Sequence, residues 1–285
     1  MESLIDKFMR ARALLSVCIN GLWIGYNSLP IAVRRFCAPA FFHNEGEPTF
    51  DLTTRGSAIL LRFKGRNFAV LTHHQLGRGV HTLEAKDFTI GIDDPDGRRV
   101  GLTPVAVTRV SVESDAMKNL EDLQICEYED VRNQRDLTDR FLRLDLAHTL
   151  ETVSPNAIKG MFVIGFPSEF TTIEVGEWDE QGGEVPMSIR FQWVKVHLRP
   201  AAVRHPFDPD NRIILEPDPE APTTLSDPDG LSGAPVFFVW QDSGDQAWLG
   251  LAGVVTNARI DRFAVYSAVH IRTALQQHVD AAGLS

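Results

Sequence analysis

Cysteine is scarce in this sequence. Its 285 residues include three cysteines, Cys18, Cys37 and Cys126, at wide spacing and with no Cys-x-x-Cys pair. An odd number at such spacing predicts neither a disulfide framework nor a zinc ribbon, and no metal site is expected. A chain without disulfides favours a reducing compartment, so we expect a cytoplasmic protein.

Basic residues are also too few to balance the acidic ones. There are 28 Lys and Arg against 38 Asp and Glu, which gives a formal net charge of −10. Such a charge opposes a general electrostatic attraction to phosphate backbones or anionic lipid. No nucleic-acid partner is therefore expected.

Charge is absent from residues 14–33, which lie between arginines on both sides. From Ser3 to about Ile24, apolar residues recur at steps of three and four, which is the spacing of a helix with one buried face. We interpret residues 1–44 as an N-terminal helical segment that docks on the following domain. A membrane anchor or an export signal through residues 14–33 remains the alternative, although polar residues and Pro30 weaken it.

Short apolar runs rich in β-branched residues follow residue 45 and are separated by turn clusters. Many short strands without regularly interleaved helices predict closed or sandwiched antiparallel sheets. Residues 130–151 mix polar and apolar positions at roughly helical spacing, which suggests a helical insertion between two halves. Residues 268–282 predict a C-terminal helix with Val269, Ile271, Leu275 and Val279 on or near one side.

Three short motifs could together carry out acyl transfer. The apolar strand from Phe68 runs into Thr72-His73-His74-Gln75-Leu76, which places a candidate base at the end of a strand. Asp122 opens the apolar run Asp122–Tyr128. Gly230-Leu231-Ser232-Gly233 precedes a third strand, and its glycines permit a tight turn that exposes the Ser232 hydroxyl and directs the amides of Gly230 and Ser232 into one pocket.

The order His, Asp, Ser and the motifs around each residue resemble the chymotrypsin-like serine peptidases. Thr72–Leu76 and Gly165-Phe166-Pro167 are similar to segments of divergent bacterial trypsin-like peptidase domains, and the likeness covers roughly residues 45–275. The resemblance implies an all-β fold of two antiparallel β-barrels over residues 45–285, divided near residues 130–155. The N-terminal helical segment would precede the barrels and the C-terminal helix would close them.

The resemblance also implies roles for individual residues. His74 would be the general base, Asp122 its orienting carboxylate and Ser232 the nucleophile, with the amides of Gly230 and Ser232 as the oxyanion hole. The His turn is shorter than the family's, so His73 is the alternative base, and Asp115 or Asp130 could replace Asp122.

Two further positions bear on regulation and specificity. Leu231 stands where the family has the Asp that pairs with a new N-terminus, so the family's zymogen switch is not expected. Ser226 falls six residues before the nucleophile, at the family's specificity floor, although Asp227 is only one residue away.

Other hydrolase types fit less well. An α/β-hydrolase needs Gly-x-Ser-x-Gly, but residue 234 is Ala, and the only histidines after Ser232 lie in the predicted terminal helix. A metallopeptidase needs His-Glu-x-x-His, which does not occur.

We therefore expect a serine endopeptidase that cleaves protein or peptide substrates through an acyl-enzyme and needs no cofactor. A catalytically idle, protease-like binding or sensor module is the alternative, because a fold alone does not establish turnover. The sequence predicts neither the substrate nor the oligomeric state.

Overall fold

The structure is a computed structural model that describes residues 15–43, 52–76, 84–93, 99–110, 122–132, 135–175, 187–221 and 223–282. Twenty strands and two α-helices occur in these ranges. The strands are β1 Ser16–Ile19, β2 Leu22–Gly25, β3 Cys37–His43, β4 Leu52–Phe63, β5 Arg66–Thr72, β6 Phe88–Asp93, β7 Arg99–Leu102, β8 Ala106–Arg109, β9 Leu123–Tyr128, β10 Val131–Arg132, β11 Arg135–Asp136, β12 Leu142–Arg143, β13 Ile158–Gly165, β14 Thr171–Val175, β15 Met187–Phe191, β16 Val194–Pro200, β17 Ile213–Pro217, β18 Pro235–Gln241, β19 Ala247–Arg259 and β20 Arg262–Ser267. The helices are α1 Leu29–Arg34 and α2 Ala268–Ala282.

The strands form two large sheets. The first has the order β7-β6-β3-β4-β5-β9-β8, with β12 parallel to β4, and it curls into a half-barrel. The second has the order β18-β13-β16-β17-β20-β19, and pairing of β18 with β19 closes it into a six-stranded barrel. The prediction of an all-β fold with a C-terminal helix is confirmed, and the architecture is compatible with a chymotrypsin-like two-barrel fold.

The strands at the centre of the molecule are apolar along most of their length because both of their faces are buried. In β4, Ile59 and Leu61 pack in a core that contains residues of both sheets, while Ala58 and Leu60 face the interior of the half-barrel. In β18, Phe237 points into the shared core and Phe238 into the closed barrel. Alternation along each strand thus fills two cores at once, which explains why these runs contain few polar residues.

The prediction of an N-terminal helix from Ser3 to Ile24 is wrong for its described part. Residues 16–25 form the hairpin β1–β2, and β1 continues the second sheet by parallel pairing with β19. Asn20 and Gly21 both have positive φ and form the turn of this hairpin, which the helical spacing of the apolar residues did not predict. Residues 3–14 lie outside the described residues.

The predicted boundary at residue 44 also needs correction. β3, at Cys37–His43, belongs to the first sheet and pairs with β4 and β6. The only α-helix described within residues 1–44 is α1, where Pro30 lies in the first turn. Among the described residues, no helix is long and apolar enough to cross a membrane.

The predicted helical insertion at residues 130–151 is also wrong. The described part of this stretch forms the small hairpin β10–β11, the strand β12 and short 3-10 turns. The chain then crosses to the second sheet before β13. Helix α2 matches the predicted range of 268–282, and Ile271 and Leu275 are fully buried on its inner face.

Candidate active site

The His turn forms where β5 ends. The β5–β9 ladder continues one step beyond Thr72, because the amide of His73 donates to the carbonyl of Asp122 at 2.7 Å. The chain then turns into a 3-10 helix at His73–Leu76. The base candidate and the acid candidate thus leave adjacent strands of the first sheet at the same end.

The structure brings His74, Asp122 and Ser232 together. His74 Nδ1 lies 3.0 Å from both carboxylate oxygens of Asp122, and His74 Nε2 lies 3.0 Å from Ser232 Oγ. The backbone amide of His74 also donates to Asp122 Oδ1 at 3.1 Å. Since Ser232 precedes β18 of the closed barrel, the three residues span the space between the two sheets.

These contacts fix the tautomer of a neutral His74. The carboxylate of Asp122 only accepts hydrogen bonds, so Nδ1 must carry the proton and donate it. Nε2 is then an acceptor and faces the Ser232 hydroxyl. This is the arrangement in which an imidazole can remove a proton from a serine.

Thr72 supplies a further oxygen to His74. Its Oγ1 lies 3.3 Å from Nε2 and donates its own proton to Gln75 Oε1 at 2.9 Å. A lone pair of Thr72 is therefore available to an N–H at Nε2, which exists only after His74 has accepted a proton.

The alternative base, His73, is placed differently. Its amide continues the ladder, and its side chain is half-buried beside the turn rather than between Asp122 and Ser232. Of the alternative acids, Asp130 pairs with Arg62 at the opposite end of β9, and Asp115 lies outside the described residues. The geometry therefore favours His74 with Asp122, and their roles remain predictions.

Glycine is required on both sides of the Ser232 turn. Gly230 has φ +87° and Gly233 has φ +78°, both in the left-handed region that L side chains rarely adopt. A Cβ on Gly233 would lie 2.0 Å from the carbonyl oxygen of Ser57, and a Cβ on Gly230 would lie 2.7 Å from the amide of Ser168. The turn is thus packed directly against backbone of β4 and of the loop after β13.

Two amides of this turn lack an acceptor among the hydrogen bonds of the described residues, those of Gly230 and Ser232. In a trans peptide the N–H and the C=O point in opposite directions, so a fixed carbonyl fixes the direction of its own N–H. The two carbonyls concerned are both held by backbone amides: Ser168 N donates to Asp229 O at 2.8 Å, and Ala234 N donates to Leu231 O at 3.0 Å.

The other two amides of the turn are used internally. Leu231 N donates to Pro228 O at 3.0 Å, and Gly233 N donates to Val255 O at 2.8 Å. Unpaired amides thus alternate with paired ones. The two that remain available to a ligand are the pair assigned to an oxyanion hole from the sequence.

Leu231 is anchored by burial. Its side chain is fully buried and packs in the core of the closed barrel, against Gly165 and Ala234. An added Cβ at Gly165 would lie 2.6 Å from Leu231 Cδ2, so the Gly-Phe-Pro segment needs a glycine there. Leu231 therefore makes an apolar contact at the position where the chymotrypsin-like serine peptidases have an ion pair.

Ser226 lies in an exposed part of the loop before the turn. Its amide donates to Glu169 Oε1 at 2.9 Å, and its hydroxyl donates to Glu169 Oε2. The hydrogen bond from the hydroxyl is the main cause that holds the pKa of Glu169 below its usual range. A carboxylate thus lies beside the predicted specificity residue, whose role remains a prediction.

Two polar residues at the site had no assigned role in the sequence interpretation. Ser57 in β4 and Gln75 in the His turn are both buried and bonded to the site's backbone. Gln75 was visible only as part of the Thr-x-His-Gln-Leu motif. Ser57 had only one signal, a polar residue at the start of an apolar strand, directly after Gly56.

No group of three or more His, Cys, Asp or Glu side chains suited to a metal ion occurs in the described part of the chain. All three cysteines are free and buried, and burial raises the pKa of the thiols of Cys37 and Cys126. A scan of protein-family models finds no match to the chain, and no curated protein matches it significantly.

Proposed function

We propose that the protein is a serine endopeptidase. The observation that carries the proposal is the position of His74, which lies 3.0 Å from both Asp122 and Ser232 through opposite ring nitrogens. A serine hydroxyl that faces a histidine oriented by a carboxylate is an activated nucleophile. The amides of Gly230 and Ser232, which have no acceptor among the described residues, add donors on the same turn.

In the first step, Ser232 Oγ attacks the carbonyl carbon of a peptide bond while its proton passes to His74 Nε2. The carbonyl oxygen becomes an oxyanion that the amides of Gly230 and Ser232 stabilise. His74 then returns the proton to the leaving amine, and the C–N bond breaks to give an acyl-enzyme. Water attacks this ester by the same sequence and releases the acid.

Asp122 keeps its charge throughout. It holds His74 in the productive tautomer and stabilises the imidazolium that forms in each half-reaction. Thr72 Oγ1, 3.3 Å from Nε2, can accept a hydrogen bond only from that imidazolium. Both contacts are therefore more favourable in the transition state than in the resting site, which is the requirement for catalysis.

A fluorophosphonate probe tests the proposal without knowledge of the natural substrate. We expect stoichiometric labelling of the folded protein and no labelling of Ser232→Ala. Labelling that persists in Ser232→Ala would disprove the assignment of the nucleophile. A folded wild-type protein that does not react would instead indicate the idle binding or sensor module. The exposed Ser154→Ala is a suitable control, because Ser154 lies in the connection between the sheets.

A further inference from the structure

Ser57 connects the first sheet to the nucleophile turn through its amide and its hydroxyl. It is fully buried in β4, and its amide donates to Ser232 O at 3.0 Å. Its hydroxyl donates to Gly230 O at 3.1 Å and accepts from the amide of Phe166 at 2.9 Å. One residue of the half-barrel thus holds two peptides of a turn that belongs to the closed barrel.

Gln75 connects the same residue to the His turn. Its side chain is 4% exposed, and Nε2 donates to Ser57 O at 3.1 Å. Oε1 accepts from the amide of Thr72 at 2.7 Å and from its hydroxyl at 2.9 Å. A buried path of hydrogen bonds therefore runs from the strand end that carries His74, through Gln75 and Ser57, to the turn that carries Ser232.

The nucleophile turn needs such support because glycine leaves it conformationally free. Gly230 can adopt many backbone conformations, and rotation of the Gly230–Leu231 peptide would change the relative direction of the two peptides beside it, which carry the amides of Gly230 and Ser232. Leu231 offers no charge to an N-terminal ammonium, so no ion pair at this position can hold the turn. The hydroxyl of Ser57 fixes the carbonyl of Gly230 and so the Gly230–Leu231 peptide, which lies between the two peptides that carry the amides of Gly230 and Ser232.

We propose that Ser57 and Gln75 are positioning residues that keep the oxyanion amides of Gly230 and Ser232 in their binding orientation without an activation ion pair. This inference rests on the proposed function and names how that site is kept ready. Neither residue touches the reacting atoms. They act through the backbone of the turn and through Thr72.

The test is the rate of fluorophosphonate labelling, measured against probe concentration so that the maximal rate and the half-saturating concentration separate. The phosphoryl oxygen of the probe occupies the place of an oxyanion, so its reaction depends on the same amides. Ser57→Ala should lower the maximal rate about 10- to 100-fold, somewhat less than loss of a whole oxyanion donor. The half-saturating concentration and the midpoint of the pH profile should not change, because His74 and Asp122 are untouched.

Variants of matched size serve as controls. Ser267→Ala removes another buried hydroxyl of the closed barrel, one that bonds Glu151 at 2.7 Å outside this network, and should keep the wild-type rate. Ser57→Thr keeps the hydroxyl and should restore most of the rate. Gln75→Met keeps the length of the side chain but loses its hydrogen bonds, and should lower the maximal rate in the same way as Ser57→Ala.

Amide hydrogen exchange supplies a second measurement that does not need activity. In Ser57→Ala, the amides of Leu231 and Gly233 should exchange faster than in the wild type and in Ser267→Ala. Labelling of Ser57→Ala at the wild-type rate, with unchanged exchange, would overturn the positioning role and leave the proposed function intact. A wild-type protein that does not label would overturn the proposed function itself, so the two failures are distinguishable.

Discussion

The nucleophile turn and the His turn face each other but are held in different ways. Each of the four peptides from Asp229 to Gly233 has its carbonyl or its amide bonded to backbone or to Ser57, and the flanking glycines pack against backbone atoms. His74, by contrast, has a side chain that is 47% exposed and is fixed mainly by Asp122. Oxyanion donors act by being in place before charge develops, whereas a base must accept and release a proton facing the substrate.

The largest effect is expected from removing the candidate base, His74. His74→Ala should lower fluorophosphonate labelling by about 10⁶-fold, because a serine without its base is a poor nucleophile. His73→Ala should label at close to the wild-type rate, since its side chain is not between Asp122 and Ser232. Equal, small losses in both variants would remove both histidines from the mechanism.

A smaller loss is expected from the orienting carboxylate. Asp122→Asn should lower the labelling rate by about 10⁴-fold, because an amide can stabilise the wrong tautomer of His74 and cannot stabilise its cation. Asp130→Asn, at the other end of β9 and paired with Arg62, is the matched control and should label normally. If Asp122→Asn labels as fast as Asp130→Asn, Asp122 has no catalytic role.

The rigidity of the nucleophile turn is tested by the free energy of unfolding of glycine variants. Gly233→Ala places a Cβ 2.0 Å from the Ser57 carbonyl at a residue with φ +78°, and should destabilise the fold by about 1–3 kcal/mol. Gly160→Ala, where an added Cβ meets nothing within 4 Å, should stay close to the wild type. The measurement is urea unfolding followed by fluorescence. Equal midpoints for the two variants would show that the turn can change its conformation to accommodate the added Cβ.

The smallest effect concerns the contact of helix α2 with the first sheet. Glu127 in β9 accepts from Arg66 Nε at 2.6 Å and lies 3.2 Å from His278 Nε2 of α2. Burial alone would raise the pKa of Glu127, but the hydrogen bonds from Arg66 and His278 outweigh burial and lower it. Glu127→Gln should therefore cost about 1–2 kcal/mol at neutral pH.

The sign of the pH dependence follows from this lowered pKa. The stabilisation is complete above the usual carboxyl pKa of 4.5 and is lost as the pH falls through the lower pKa of the folded state. Wild type and Glu127→Gln should thus differ at pH 7 and converge once the pH has fallen below the lowered pKa of Glu127. Glu174→Gln removes an exposed ion pair with Arg190 and should change stability little at either pH. A wild-type advantage that grew on acidification would contradict the assignment.

The sequence predicted most of the strands and the terminal helix because they carry strong local signals. The continuous apolar runs of β4, β5 and β18, and the helical spacing of residues 268–282, are visible without tertiary information. The three residues of the candidate triad were also recognisable, since each lies beside an apolar strand in a distinctive motif.

The predictions from the sequence failed where contacts between distant residues determine the structure. Residues 16–25 have helical spacing, but β1 gains a partner in β19, more than two hundred residues away, and tertiary pairing overrides local periodicity. Ser57 looked like an ordinary strand residue because its hydroxyl bonds Gly230 and Phe166, both more than one hundred residues distant. No local pattern can reveal such contacts.

The parallel pairing of β1 with β19 means that the polypeptide begins its described course at the edge of the second sheet, passes through the half-barrel and then returns to the second sheet. At its other end, α2 places His278 on Phe68 and Glu127 of the half-barrel. A single cut in the connection at residues 144–157 would therefore yield two fragments, each holding a piece of the other's architecture. Because each fragment contributes elements to the sheet of the other, the two fragments should stay associated after cleavage. They should separate only under denaturing conditions.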